Sequence, residues 1–335
     1  MAVLIGTDTV TSIARHVILP SITDQVYNNN LMLYRLMRAN KRIIGGGTQI
    51  EVPQLYADFG TGSAYRGYEV LATTPHDTIK NLVFDWKQYY VTWAIDGLTL
   101  IKTDSADAIA NLISLQSQQA YMRMGTILGA GLYMDGTSTG LGTKELDGIP
   151  GAVGNSSVGN TSYGGVSRSS NTWHRSIIDA STTTLTFAAM RSMISQTTYG
   201  GYHPTIIVSN KTNYNRHWAL HTSTTGYSRA VQIQPTGHDE LLASAGFTNL
   251  LFENIPHCVD DNINDTNLGS GNGDKSIFFL NENVLQWVVS PRGDFYMEDF
   301  QKPVNQDAMV ASLLFAGNLI SQSSRLHARM TALTA

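Results

Sequence analysis

Apolar residues change their spacing several times along this chain, and each change marks an element. Between Asn28 and Arg42, Leu31, Leu33, Leu36 and Met37 fall among Arg35, Arg38, Lys41 and Arg42, which predicts a short amphipathic basic helix. Gly45, Gly46 and Gly47 end it, and the alternation of Ile50 and Val52 begins a strand whose Pro53 marks a sheet edge or a bulge. The return strand alternates Leu82, Phe84 and Trp86 in one phase and Tyr89, Val91, Trp93 and Ile95 in the other. That phase jump at Lys87-Gln88 predicts one extra residue, a β-bulge. Between the strands lies GTGSAYRGYEVLATTPHD, glycine-rich, aromatic and too long for a tight turn. A two-stranded hairpin is marginal in water, so an arm of this length must lean on something. Its aromatics Tyr56, Phe59, Tyr65 and Tyr68, read as exposed, favour a neighbouring subunit over the chain's own core.

Helical spacing returns from Asp104 to about Met134 through Ile109, Leu112, Ile113, Ala120, Met124, Ile127, Leu128 and Leu132, with Asp104 as N-cap and Asp107 in the first turn. A helix of that length spans about 45 Å. Gly125, Gly129 and Gly131 each cost about 1 kcal/mol relative to Ala, so its last turns must pack closely or fray. The exit MDGTSTGLGTKELDGIPGAVG is punctuated by glycine and turns sharply at Asp147-Gly148-Ile149-Pro150-Gly151. A Ser/Gly/Asn loop then runs to Trp173, followed by the helix LTFAAMRSMISQ, the buried strand Thr205–Ser209 and the helix KTNYNRHWALH, an α/β unit. TNLLFEN and SIFFLNEN are short apolar strands separated by the loop VDDNINDTNLGSGNGDK. The last segment reads as two strands, with Arg325, His327 and Arg329 alternating with Leu326, Ala328 and Met330. No fixed-period repeat is present.

Composition adds a bias toward association. The 335 residues are 42% apolar, enough for a sizeable core, but only 14% charged, against roughly 25% in an ordinary soluble domain. A polar surface with little charge, net −4, has little self-repulsion. Against that total, the first 42 residues carry Arg15, Arg35, Arg38, Lys41 and Arg42 with only Asp8 and Asp24. The arm is either a solvated helix face or a segment that lies against a polyanion. The single Cys258 has no partner for an internal disulfide and reads as a buried small apolar residue in a reducing compartment. The N-terminus lacks the basic start of a signal peptide, and no run reaches the ~18 apolar residues that cross a bilayer. The expectation is a soluble protein made in the cytoplasm, without a membrane partner.

Candidate chemistry is thin. His217 and His221 share a helix face at zinc-site spacing, but Trp218 stands where the zincin motif requires Glu, so both read as stray histidines. Asp260, Asn262, Asn264 and Asp265 imitate a calcium loop, yet Asp265 and Gly271 stand where Gly and Glu are required, which leaves a flexible surface loop. Gly129-Ala-Gly131 ends a helix where a dinucleotide fingerprint would open one. Gly226-Tyr-Ser228-Arg-Ala230 has neither the strand nor the helix of a nucleophile elbow. No catalytic, cofactor-binding or metal-ligating residue is assigned, and an enzyme is the weaker class of function.

The order of parts resembles that of the major capsid proteins of tailed bacteriophages, the Johnson fold, over essentially the whole chain. The residues that carry the resemblance are Leu146-Asp147-Gly148-Ile149-Pro150-Gly151 after the long helix, and Gly164-Gly165-Val166-Ser167-Arg168 with Trp173 following. The resemblance implies an α+β fold with an N-terminal arm over 1–44, an extended E-loop hairpin over 45–96 and a peripheral domain with its spine helix over 97–150. An α/β axial domain would occupy 151–296, and strands over 297–335 would return to the peripheral domain. It implies αL glycines at the exit from the spine helix, where the chain crosses into the axial domain.

By the same resemblance the chain is a structural subunit assembling with itself, through pentamers and hexamers, into an icosahedral shell around double-stranded DNA held by non-specific contact. Arg15, Arg35, Arg38, Lys41 and Arg42 would face that DNA, and Tyr56, Phe59, Tyr65 and Tyr68 would touch the next subunit. A portal and a separate scaffolding protein are implied partners, with a decoration protein as an optional one; no cofactor is. The place would be the virion, built in a bacterial host's cytoplasm. Lys80 and Lys87 lie on the hairpin without an assigned cross-linking role. An encapsulin shell around enzyme cargo is the rival of the same fold, and a monomeric carbohydrate-binding surface protein the rival of another class.

Overall fold

The computed structural model describes residues 30–71, 73–102, 106–136, 144–224, 249–269 and 271–334. Helix α1 (Leu31–Ala39) leads into β1 (Lys41–Ile43), the hairpin strands β2 (Gln49–Leu55) and β3 (Ile79–Asp85), then β4 (Lys87–Asp96) and the short α2 (Gly97–Lys102). The spine helix α3 (Ala106–Gly131) follows, then α4 (Ile149–Ala152), β5 (Ser162–Tyr163), β6 (Val166–Ser167) and β7 (Ile177–Asp179). Next come α5 (Phe187–Thr197), β8 (Ile206–Ser209), α6 (Lys211–Thr224), β9 (Asn249–Phe252), β10 (Ile255–Val259) and α7 (Asp265–Leu268). The chain closes with β11 (Ile277–Leu280), β12 (Leu285–Val289), β13 (Tyr296–Met297), β14 (Ala308–Ser321) and β15 (Ala328–Met330).

Two sheets carry the architecture. A mixed six-stranded sheet runs β7-β15-β11-β8-β10-β9. Its middle strands IIVS and IFFL are buried at every position, because alternate side chains pack against different layers. Ile207, Ile277, Phe279, Ala328 and Met330 meet Met190, Met193 and Ile194 of α5. Ile206, Val208, Phe278 and Leu280 share the larger core with Leu31 and Leu36 of α1 and with Met124 and Leu128 of the spine helix. The second sheet has the order β1-β12-β14-β13, with β4 also on β14. Its β12 was not read as a strand from sequence: Leu285, Trp287, Val288 and Val289 are all buried, so the period-2 signal is missing.

The hairpin reading needs one correction. β2 and β3 pair from Gln49↔Asp85 to Leu55↔Ile79, whereas β4 pairs with β14 from Lys87↔Gly317 to Asp96↔Ala308. The phase jump at Lys87-Gln88 is therefore the point where the chain leaves one sheet for another at Trp86, and no bulge is needed.

The glycines of the spine helix pack closely. Asn30 Nδ2 donates to Gly125 O at 2.7 Å, and a Cβ on Gly129 would overlap the Asn30 carboxamide, so the missing side chains admit Asn30 at the head of α1. At the exit, the expectation of αL glycines holds for Gly136 (φ 75°) but not for Gly148, whose φ is −69°. Gly148 is required by proximity: a Cβ there would fall on the carbonyl oxygens of Gly131, Leu132 and Met134. This approach lets Ile149 N donate to Leu132 O at 2.7 Å, satisfying one of the helix's last carbonyls.

Asp260 and Asn262, assigned from sequence to a flexible surface loop, are buried. The Asp260 carboxylate accepts from Tyr133 Oη at 3.0 Å, from Met32 N at 3.3 Å and from Asn262 N at 3.0 Å, tying the spine helix to α1. Burial raises its pKa against the lowering effect of these donors.

Candidate assembly surface

The hairpin stem is clamped by the loop that the sequence singled out. Gly164 (φ 57°) and Gly165 (φ 74°) make the two-residue turn between β5 and β6, both in the left-handed region that glycine tolerates. Gly164 O accepts from Val83 N at 3.0 Å, and a Cβ on Gly164 would lie 2.9 Å from Leu82 Cβ. Tyr163 meets Phe84 edge-on at 5.0 Å, and Trp173 stacks on Tyr56 at 5.3 Å. Ile50, Leu82 and Phe84 thus share a core with Tyr163, Val166, Val288 and Ile320.

Arg168 holds this clamp together. Its fully buried guanidinium donates to the carbonyls of Gly151 (2.9 Å), Ala152 (2.6 Å), Asn160 (2.7 Å) and His174 (3.2 Å), and to Ser324 Oγ at 3.1 Å. Five acceptors from four chain segments replace a carboxylate. Burial lowers the arginine's pKa to about 10, which still leaves it charged at neutral pH. Burial and the Arg168 charge push His174 down to about 4. Its Nε2 therefore carries the proton it donates to Tyr163 O at 3.1 Å.

Beyond the stem, the hairpin exposes apolar surface. Phe59 is 69% and Tyr65 66% accessible, Tyr68 and Val70 are fully exposed, and Leu71 is exposed beside them. Such a concentration on a monomer marks an interaction surface. Of the four aromatics anticipated as neighbour contacts, Phe59, Tyr65 and Tyr68 are free to serve. Tyr56 is the correction, since it is half-buried against Trp173 of its own chain.

The basic residues separate in the same way. Arg35, anticipated to face DNA, is only 5% exposed and pairs bidentately with Glu282 Oε1 and Oε2 at 2.6 Å each. The alternation could not separate it from its neighbours, because an arginine pointing inward has the same spacing as an apolar residue. Lys41 is engaged by Asp294 at 2.5 Å. Arg38, donating to Tyr34 Oη at 2.6 Å, and Arg42 are exposed. Arg15 lies outside the described residues.

His217 is not stray. Its Nδ1 lies 2.8 Å from Nδ1 of His257, whose Nε2 lies 2.7 Å from Ser209 Oγ, all three residues being buried. Burial and the facing His217 push His257 well below 6.5, so His257 stays neutral and the contact is a ring-to-ring hydrogen bond. The side chain of His221 and residues 226–230 lie outside the described residues. Among the described residues no group of three His, Cys, Asp or Glu is placed to hold a metal, and no helix is long and apolar enough to cross a membrane. Cys258 is buried in β10, beside this pair.

N-terminal helix, projecting hairpin, spine helix and two sheets together make the Johnson fold. Among solved structures, the chain is similar to the subunit in the cyanophage A-1(L) capsid asymmetric unit, with 16% identity over 98% of this chain and 100% of that one and a TM-score of 0.71. It is also similar to a chain of the capsid of the myovirus XM1, with 13% identity, 95% and 97% coverage and a TM-score of 0.59. The SrpI encapsulin of Synechococcus elongatus PCC 7942 shares 8% identity over 99% and 96% of the two chains, at a TM-score of 0.58. No family model and no curated protein sequence matches the chain.

Proposed function

We propose that this chain is a shell subunit of a tailed bacteriophage that assembles through pentamers and hexamers into an icosahedral capsid enclosing double-stranded DNA. The observation that carries the reading is end-to-end likeness, with nothing substantial left over on either side, to a chain of the cyanophage A-1(L) capsid. Apolar exposure at the tip of a clamped, projecting hairpin supports it, because a hairpin too thin to cover its own tip finds cover on a neighbour. Each subunit offers its tip to a different surface of the next, the heterologous contact from which rings close. Self-assembly is the chemistry, and no catalysis is assigned.

In this reading Arg38 and Arg42, with Arg15, face the packaged DNA, while Arg35 and Lys41 spend their charge inside the subunit. A portal and a separate scaffolding protein are the expected partners during assembly in the host cytoplasm. A shell enclosing protein cargo is the second reading, favoured by the full-length likeness to the SrpI encapsulin.

Expression of the chain alone in a bacterial cytoplasm, followed by light scattering and negative-stain microscopy, tests assembly. Capsomers, curved sheets or closed shells are the expected outcome. A monodisperse monomer at high concentration, both alone and with co-expressed scaffold, would sink the proposal. Nuclease-protected double-stranded DNA in virions separates the capsid reading from shells that hold protein cargo.

A further inference from the structure

Arg329 sits on β15 inside the six-stranded sheet, its backbone opposite Phe278 on one side and Ile178 on the other. Ala328 and Met330 point into the core behind α5, which turns Arg329 to the other face, toward the end of the spine helix. There its guanidinium lies over the Phe278 ring at 4.8 Å. The residue is 6% exposed, yet its only hydrogen bond among the described residues runs from Nη2 to Ser276 Oγ at 3.0 Å. Nε is sealed from solvent without an acceptor among the described residues. No carboxylate of the described residues comes within the 4.0 Å of an ion pair.

Arg168, the other deeply buried arginine without a carboxylate, is satisfied by five acceptors; Arg329 has one among the described residues. A buried guanidinium with unfilled donors is costly, and such groups are ordinarily paired. The side chain also lines a cleft of about 600 Å³, within the range of small-molecule sites, between the exit from the spine helix (Tyr133, Asp135, Pro150), Gly159, the α7 turn (Thr266, Asn272) and Thr331. Among the described residues Asp135 is the one acid of this wall, and it makes no ion pair with Arg329.

We propose that this cleft binds a small oxyanion, a phosphate or carboxylate group, with the Arg329 guanidinium as its principal ligand. The planar Nη1 and Nη2 donors at the end of the guanidinium suit two oxygens of one such group. The Phe278 face behind the guanidinium fixes its plane, and the apolar sheet around it strengthens the attraction by excluding water. Burial lowers the Arg329 pKa only to about 10, so the group is a cation at neutral pH. The inference does not depend on the shell reading, because the cleft lies within one subunit.

Inorganic phosphate is the first probe, titrated into the full chain by calorimetry at constant ionic strength with chloride as the reference salt. The expected result is saturable uptake of one phosphate per chain and a melting temperature raised by several degrees, as binding to the folded state alone requires. Competition by acetate would support the same site for carboxylates. Arg329→Met keeps the packing on Phe278 and should weaken binding by about tenfold or more, while melting in phosphate-free buffer no lower than the wild type. Asn272→Asp, which adds a negative charge at the lining at the loss of one exposed hydrogen bond to Leu268 O, should weaken binding with at most a small drop in melting temperature, and it serves if the first variant fails to fold. Indifference of the wild type to both anions beyond chloride, or undiminished binding by both variants, would overturn the proposal.

Discussion

Buried ionisable side chains in this subunit are held in one protonation state by what surrounds them. Burial and the Arg168 charge push His174 down to about 4 and His327 down to about 3. His327 Nδ1 accepts from Asn281 N at 3.2 Å, so Nε2 keeps the proton and donates to Ser321 Oγ at 3.0 Å. With His257 shifted the same way, three rings are neutral when folded and take up protons first in the unfolded chain. Their stability contribution is complete above about pH 6.5 and is lost as pH falls toward the folded values, by up to about 1.4 kcal/mol per pH unit for each. Asp147 and Asp260 act in the opposite sense, since burial raises both, and their protonation on further acidification restores some stability. The thermal midpoint should therefore be flat between pH 8 and 7 and fall between about 6.5 and 5. His327→Gln, able to keep both hydrogen bonds, should flatten that fall; an unchanged slope would show that the ring titrates normally.

At the scale of elements, helix propensity and packing disagree in α3, and packing wins. Gly129→Ala gains about 1 kcal/mol of propensity. The new Cβ would overlap the Asn30 carboxamide, which donates to Gly125 O and accepts from Asn262 Nδ2 at 2.7 Å. Displacing it breaks the tie between the head of α1, the spine helix and the Asp260 loop. Chemical denaturation should show a net loss of about 1–2 kcal/mol, and a gain would mean that Asn30 moves aside freely. The hairpin follows the same logic, because its two strands are stable only while Gly164 admits Leu82 and Phe84 to the clamp.

Across the whole molecule, folding and association draw on different apolar residues. Leu82 and Phe84 stabilise the subunit, whereas Phe59, Tyr65 and Tyr68 cover nothing in it. Replacing these three with Ser should leave monomer stability within about 0.5 kcal/mol per site, as surface changes do, while abolishing shells in sedimentation and microscopy. Assembly at wild-type efficiency would place the inter-subunit contact elsewhere. The apolar edge formed by Tyr90, Tyr296, Leu98, Ile101 and Val304 is the next surface to test.

Sequence by itself determined what depends on local spacing: the spine helix, the hairpin and its aromatic tip, the α/β unit, the two closing strands and the order that marks the fold. These follow from periodicity and turn chemistry, which act over a few residues. Only the tertiary structure decided which of several equivalent residues turns inward. Arg35 and Arg38 lie three apart on one short helix, yet one meets Glu282 in the core and the other faces outward. Lys87 begins a strand that pairs with Gly317, a partner 230 positions away in the chain. His217 meets His257 across 40 positions, Arg168 meets Ser324 across 156 and Arg329 meets Ser276 across 53. A charge buried in one place and exposed in another leaves the same letter in the sequence; the difference is made by the groups that long-range packing brings within hydrogen-bond distance.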